Sequence, residues 1–279
     1  MTRSGVRDMV LLTLGWAELP LSVSIDGAPA DQRIVEPVPG VLLLVDGGWL
    51  LLDTGFNSAL LRDPALRRRF HGNPRSRAVL PGPGEPLDEA LSQAGIDIAD
   101  VRAVGLSHLH HDHAGGLRHF TGVPVHCQRR ELEFGLSTAA ERHAVFRIDF
   151  DDPRHDWQLA DGDTEIAPGV TAVLTAGHTP GHQSFVVDLD DSVGGGGFVL
   201  AFDAADLTRN IEEEVSVGGR VQASPEECVE QVRRLKSLAA ARGYPLVPGH
   251  DPVVWPSLTR QVADRFGRPA AASPELLGG

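Results

Sequence analysis

Four histidines and one aspartate crowd six consecutive positions: His108, His110, His111, Asp112 and His113. They lie in the run Leu106-Ser107-His108-Leu109-His110-His111-Asp112-His113-Ala114-Gly115-Gly116. Core packing gives no reason for that density of imidazoles. At neutral pH these side chains are neutral nitrogen donors beside an anionic oxygen donor, a set that suits Zn²⁺ and its first-row neighbours. A metal held by such donors could activate a water, with no serine or cysteine nucleophile required. Ser107 precedes the first donor but makes a poor triad member, because every nearby histidine would be taken by metal. Isolated histidines are usually structural, and His71, His119, His126, His143 and His155 are read that way.

Donors scattered along a chain must be gathered by the elements around them. Four apolar runs with strand character each lead into a donor. Residues 101–106 end at Ser107 and His108, and 170–175 at Ala176-Gly177-His178. Residues 198–202 run into Asp203, and 245–247 into Pro248-Gly249-His250. Ligand sites in α/β sheets lie beyond the carboxyl ends of strands, so these four ends predict one convergent site. Residues 9–14 are too short an apolar run for a signal peptide and read as a first strand. Residues 123–126 and 185–189 are further strand candidates. Asp46-Gly47-Gly48 between the runs 41–45 and 49–52 predicts a hairpin, and 194–197 a looser one.

Apolar spacing at Leu87, Ala90, Leu91 and Ala94 predicts a helix over 86–94. Cys228, Val229, Val232, Leu235, Leu238 and Ala239 do the same for 225–241. Ser224-Pro225-Glu226-Glu227 starts that second helix with a cap, a proline and an acidic first turn, and Gly243 ends it. The basic stretch 62–77 lacks apolar periodicity and reads as an irregular loop bordering the substrate site. With 25–38 and 136–154 it is expected to shape the pocket. Residues 268–279 read as a frayed tail. No composition shift marks a linker, so 1–279 is expected to form one domain.

The pattern H-x-H-x-D-H, with Gly177-His178-Thr179-Pro180-Gly181-His182, Asp203 and Gly249-His250-Asp251, resembles the metallo-β-lactamase superfamily. Within it the chain is most similar to the N-acyl homoserine lactonases. Asp53-Thr54-Gly55, Gln183-Ser184, Asp203-Ala204 and 210–215 extend the likeness over most of the chain. The resemblance implies an α/β (α+β) fold, a four-layer αβ/βα sandwich with a dinuclear site at one edge of its sheets. It implies that His108, His110 and His178 hold one metal, that Asp112, His113 and His250 hold the other, and that Asp203 bridges them. It implies hydrolysis of a lactone to a hydroxy acid, with Asp112 and Asp203 as catalytic carboxylates; Asp206 is a third candidate, read from its own position and not from the family. Zn²⁺ is the first expectation for both ions, although Mn, Co and Fe accept the same donors. An aspartate bridge argues against the antibiotic-hydrolysing branch, which uses a cysteine ligand. His111 is read as lining the pocket or supporting a ligand, and His182 as packing beside the site. Asp53 is read either as orienting a ligand or as a simple Asx-turn.

One position departs from the family. These lactonases usually carry a tyrosine three residues after the bridging aspartate, where its phenol assists ring opening. Here that residue is Asp206. It can accept a hydrogen bond from a substrate hydroxyl or amide, or act as an acid where a nearby negative charge raises its pKa. The alternative is a cap for a helical segment over 207–214. The single tyrosine, Tyr244, sits before the last strand and does not fill the role.

Composition bounds the remaining choices. A chain of 279 residues that is 42% hydrophobic builds a large core without disulfides. Cys127 and Cys228 form no C-x-x-C pair and read as free thiols, which places the protein in a reducing, cytoplasmic setting. A net charge of −13 disfavours a nucleic-acid partner. No run approaches the ~20 apolar residues of a membrane span. The resemblance permits a monomer or a homodimer. A glyoxalase II-like thioesterase shares the metal motif, but the acidic balance and the few residues after His250 count against a basic, helical glutathione domain. A metal-stabilised binding protein without catalysis is the third reading.

Overall fold

The computed structural model describes residues 5–219 and 221–268. The described residues form twelve strands: β1 (Asp8–Pro20), β2 (Arg33–Val45), β3 (Gly48–Leu52), β4 (Arg77–Val79), β5 (Val101–Gly105), β6 (Pro124–Gln128), β7 (Asp156–Ala160), β8 (Thr164–Ala167), β9 (Val170–Leu174), β10 (Gln183–Asp188), β11 (Gly197–Phe202) and β12 (Leu246–Pro248). They form a seven-stranded sheet, in the order β4-β1-β2-β3-β5-β6-β7, and a five-stranded sheet, in the order β12-β11-β10-β9-β8.

Side-chain alternation explains why these sheets stack. Along β1, Met9 and Leu11 point one way and Val10, Leu12 and Leu14 the other, and all five are buried. Met9 and Leu11 join Val41, Leu43, Leu50 and Leu52 against Phe185, Val187 and Leu200 of the other sheet. Val10, Leu12 and Leu14 instead pack with Leu87, Ala90 and Leu91 of the helix Pro86–Gln93. On the far side Val173, Val186 and Val199 meet Val232, Leu235 and Ala239 of the helix Pro225–Arg242. Each fully buried aliphatic side chain contributes roughly 1.5–3 kcal/mol. The result is the expected four layers, helix, sheet, sheet, helix.

The expected hairpins and both expected helices are present, the longer helix with its capping box on Ser224 and its left-handed Gly243. The stretch 62–77 differs from its reading as an irregular loop. It contains the helix Pro64–Phe70 and runs into β4. Asp63 Oδ1 accepts the backbone N–H groups of Ala65 and Leu66 at 2.8 and 2.9 Å, and Pro64 opens the helix. Local capping thus builds a helix with no buried residue and no apolar stripe. β7, β8 and the helix Val254–Phe266 are further elements that periodicity did not announce. The expected tail, apart from Arg268, lies outside the described residues.

Candidate metal centre

Two parallel neighbours, β3 and β5, end side by side, with Leu52 opposite Gly105. Asp53 and Ser107 leave those ends together. Asp53 Oδ1 accepts the Ser107 N–H at 2.7 Å, and Oδ2 accepts the Ser107 hydroxyl at 2.7 Å. Oδ2 also lies 2.7 Å from His113 Nδ1. A carboxylate only accepts, so His113 carries its proton on Nδ1 and turns a bare Nε2 inward. Ser107 Oγ, having given its proton to Asp53, accepts from His108 Nδ1 at 2.9 Å. His250 Nδ1 donates to the Pro37 carbonyl at 2.9 Å. Three imidazoles are therefore held in the same tautomer with Nε2 free as a donor to a cation. Asp53 itself sits at φ +55, a conformation uncommon outside glycine. Its reading as an orienting group, rather than a lone Asx-turn, is what these contacts favour.

The bare nitrogens converge on one carboxylate. Asp203 Oδ2 lies 3.2 Å from His178 Nε2 and 3.7 Å from His108 Nε2. Its Oδ1 lies 3.0 Å from His250 Nε2 and 3.2 Å from His113 Nε2. Asp203 follows Phe202, which takes φ +47 where the β11–β12 register shifts. That turn aims the carboxylate between the two groups, at a cost of ~1–3 kcal/mol for a bulky side chain.

Donor atoms of His108, His110, His178 and Asp203 lie within 4.8 Å of one another, and so do those of Asp112, His113 and His250. Asp203, Asp206 and His250 make a third, overlapping group. His178 Nε2 and His110 Nδ1 are 2.9 Å apart. A tetrahedral centre with bonds of ~2.0–2.1 Å separates its ligands by about 3.3 Å, so this spacing suits a shared cation. The Nε2 atoms of His108 and His113 are buried without a hydrogen-bond partner among the described residues. Such orphaned donors are costly unless a cation takes them. The electrostatics agree. Burial disfavours a positive His113, yet Asp203, Asp112 and Asp53 push its pKa up to about 9, so the pocket at Nε2 draws positive charge, and a metal ion there would take the place of the proton. The donor set therefore fits two divalent ions.

The loops that carry these donors are pinned by Glu131, which nothing in the sequence singled out. Its Oε1 accepts the Leu109 N–H at 3.0 Å and its Oε2 the Gly181 N–H at 2.9 Å. One fully buried carboxylate thus ties the H-x-H-x-D-H loop to the His178–His182 turn. The glycines beside these loops permit the close approach. A Cβ on Gly115 would lie 2.1 Å from the Asn57 nitrogen, and one on Gly181 2.4 Å from the Glu131 nitrogen.

A cavity of about 770 Å³ opens onto His110, Asp112, His178, Asp203 and His250. Each of the segments 25–38, 62–77 and 136–154 contributes to its wall, as expected, through Glu36, Arg68 and Phe146 among others. His111 belongs to none of these donor groups. It stacks between Phe56 and Phe146, with ring centroids 5.5 and 5.3 Å away. His71, read as structural, lines the same wall edge-on to His111 at 4.8 Å. Burial, with His111 nearby, pushes its pKa down to about 3, so it is a neutral wall residue. His182 hydrogen-bonds Thr175 Oγ1 at 2.8 Å beside the centre.

Asp206 does not cap the helix that follows. That helix is Thr208–Glu212, and Asp251 Oδ2 takes the Thr208 N–H and hydroxyl at 2.9 and 2.7 Å. Asp206 instead lines the cavity, buried, with Oδ1 unpartnered among the described residues. Burial, then Asp203 and Glu36, push its carboxyl well above the usual carboxylate range. Glu36 on β2 is a second buried acid in this wall, raised by burial to about 7 and bonded to the Ser24 hydroxyl. Tyr244 is committed elsewhere, donating to Asp188 at 2.7 Å. Cys127 and Cys228 are buried free thiols.

Comparison with known proteins agrees with this architecture. Residues 34–194 match the family model described as the metallo-beta-lactamase superfamily. An N-acyl homoserine lactonase of Bacillus thuringiensis is 32% identical over 82% of this chain and 87% of its own length. The N-acyl homoserine lactonase AttM of Azorhizobium caulinodans is 34% identical over 84% of this chain and 88% of its own. A solved N-acyl homoserine lactone hydrolase, with the product N-hexanoyl-L-homoserine at its catalytic metal centre, superposes with a TM-score of 0.78. That match is 27% identical and covers 89% of this chain and 95% of the other. The chain belongs to the metallo-β-lactamase superfamily, in its N-acyl homoserine lactonase branch.

Proposed function

We propose that the protein is a dinuclear metal hydrolase that opens a lactone ring to its hydroxy acid. His108, His110 and His178 would hold one divalent ion, Asp112, His113 and His250 would hold the second, and Asp203 lies between the two groups. The observation that carries this reading is the Asp203 carboxylate, with Oδ2 at 3.2 Å from His178 and Oδ1 at 3.0 Å from His250. Zinc is the metal we assign first, on its preference for imidazole and carboxylate donors. When bound, two such ions supply an activated water at neutral pH and an electrophile for the carbonyl oxygen.

The chain's own residues do the rest. Asp53, Ser107 and the Pro37 carbonyl fix the imidazoles in their donor tautomer. Phe56, His111 and Phe146 give the substrate a flat apolar wall. Asp206, on the cavity wall beside the donors, is the residue we assign to bond the substrate's amide or hydroxyl. The two free thiols fit a reducing, cytoplasmic setting.

Metal analysis combined with a substrate panel tests the reading. The panel holds N-acyl homoserine lactones, simple γ- and δ-lactones and S-lactoylglutathione. About two ions per chain with lactone turnover is expected. Thioester hydrolysis without lactone hydrolysis overturns it, and so does full turnover by Asp203→Ala.

A further inference from the structure

We propose that the mouth of the cavity is a subsite for an anionic group on the non-reacting end of the substrate, held by Arg68 and Arg75. This inference rests on the lactonase reading and names the substrate class: a lactone whose acyl chain ends in a carboxylate.

The chain is acidic overall, yet six of its arginines fall within residues 62–77. Four of them, Arg68, Arg69, Arg75 and Arg77, line the cavity. Two are neutralised, Arg69 by Glu141 and Arg77 by Glu18, each at 2.8 Å. The guanidinium groups of Arg68 and Arg75 have no ionic or hydrogen-bonded partner among the described residues. The backbone that carries them is nevertheless built. Arg68 stands on the capped helix Pro64–Phe70. The Arg75 N–H donates to Asn73 Oδ1 at 3.0 Å, and its carbonyl accepts from Arg33.

The rest of the cavity gives this pair a direction. Its inner end carries the proposed metal donors Asp112 and Asp203 with the buried acids Glu36 and Asp206, and takes the reacting carbonyl. Phe70 and Phe146, with ring centroids 5.0 Å apart, form an apolar section of the wall. A ligand that satisfies all three zones has a neutral carbonyl head at the metal donors, an apolar middle and an anionic tail at the rim. Guanidinium suits that tail, because its planar fork bonds a carboxylate through two parallel N–H groups.

The test uses the metal-loaded protein and two N-acyl homoserine lactones of equal chain length, one ending in a carboxylate and one in a methyl group. Turnover is measured alongside calorimetric binding of the two ring-opened products. The wild type is expected to favour the carboxylate-terminated member by about tenfold, through KM and Kd, with the preference weakening as salt rises. Arg68→Ala/Arg75→Ala loses that preference. Arg67→Ala, one position along the same helix and outside the cavity, keeps it. Equal handling of the two ligands by the wild type overturns the subsite, as does the same loss in Arg67→Ala. Should neither lactone be turned over, the lactonase reading fails, and the ratio of product affinities still decides the subsite.

Discussion

Asp53 Oδ2 sits 2.7 Å from His113 Nδ1, both side chains wholly buried, and this single contact decides which nitrogen of His113 faces the centre. The aspartate is held in turn by two bonds from Ser107. Asp53→Asn keeps the shape but removes the charge that fixes the imidazole. Groups that orient a metal-binding histidine are worth about 10–100-fold in affinity. Asp53→Asn is therefore expected to weaken binding of the ion at Asp112, His113 and His250 by that factor, measured by competition with a chromophoric chelator. Unchanged affinity for both ions would show that Asp53 only shapes the turn.

Glu131 is expected to matter as much for order as for stability. Glu131→Ala strands the N–H groups of Leu109 and Gly181, at roughly 1–3 kcal/mol for each buried donor. Glu131→Gln keeps one acceptor and loses less. Denaturant unfolding should rank the three proteins wild type, Gln, Ala. Hydrogen exchange should show faster opening of the two loops in the Ala variant, and equal rates would dismiss the tie.

Asp206→Tyr restores the side chain usual among the lactonases. The free oxygen of Asp206 and its place beside Asp203 and His250 predict that the change acts on specificity. Turnover of N-acyl homoserine lactones with neutral chains should rise about tenfold or more relative to other lactones, since one well-placed hydrogen bond changes a rate by that order. The comparison is the ratio of kcat/KM values across the panel, and an unchanged ratio argues that Asp206 does not touch substrate.

Asp149 provides a pH test on a carboxyl outside the donor groups. It is buried, and Asn57 donates to its Oδ1 at 2.7 Å. Burial raises its pKa from the ordinary 3.8 to about 7, against the opposing hydrogen bond of Asn57 and the charge of Arg118. The folded protein thus keeps a proton that the unfolded chain has lost. The resulting stability is complete below about pH 4 and declines as pH rises through 7. Asp149→Asn removes this dependence. The difference in Tm between variant and wild type should move in the variant's favour from pH 4 to pH 8, and a constant difference would refute the assignment.

Much of the centre was legible before any coordinates. His108, His110, Asp112, His113, His178, Asp203 and His250 each follow a strand, and strand ends on adjacent sheets meet at one edge. The continuous apolar runs in β1 and β2 marked strands buried on both faces, because successive side chains point to opposite sides of the sheet. The helix over residues 64–70 was not legible by that rule, because it buries no apolar side chain and is made by its cap.

The sequence by itself determined the donor types and their division among four strand ends, since these follow from local chemistry and apolar runs; the layered fold entered with the family resemblance that the motifs carry. Only the tertiary structure decided the tautomers, through Asp53, Ser107 and the Pro37 carbonyl. It also decided that Asp251, and not Asp206, caps the helix, which turns Asp206 toward the cavity. Glu131, Glu36, Arg68 and Arg75 belong with these late decisions. Each is a common charged residue whose meaning comes from where it is buried or which partner it lacks, and both are set by segments far away in the chain.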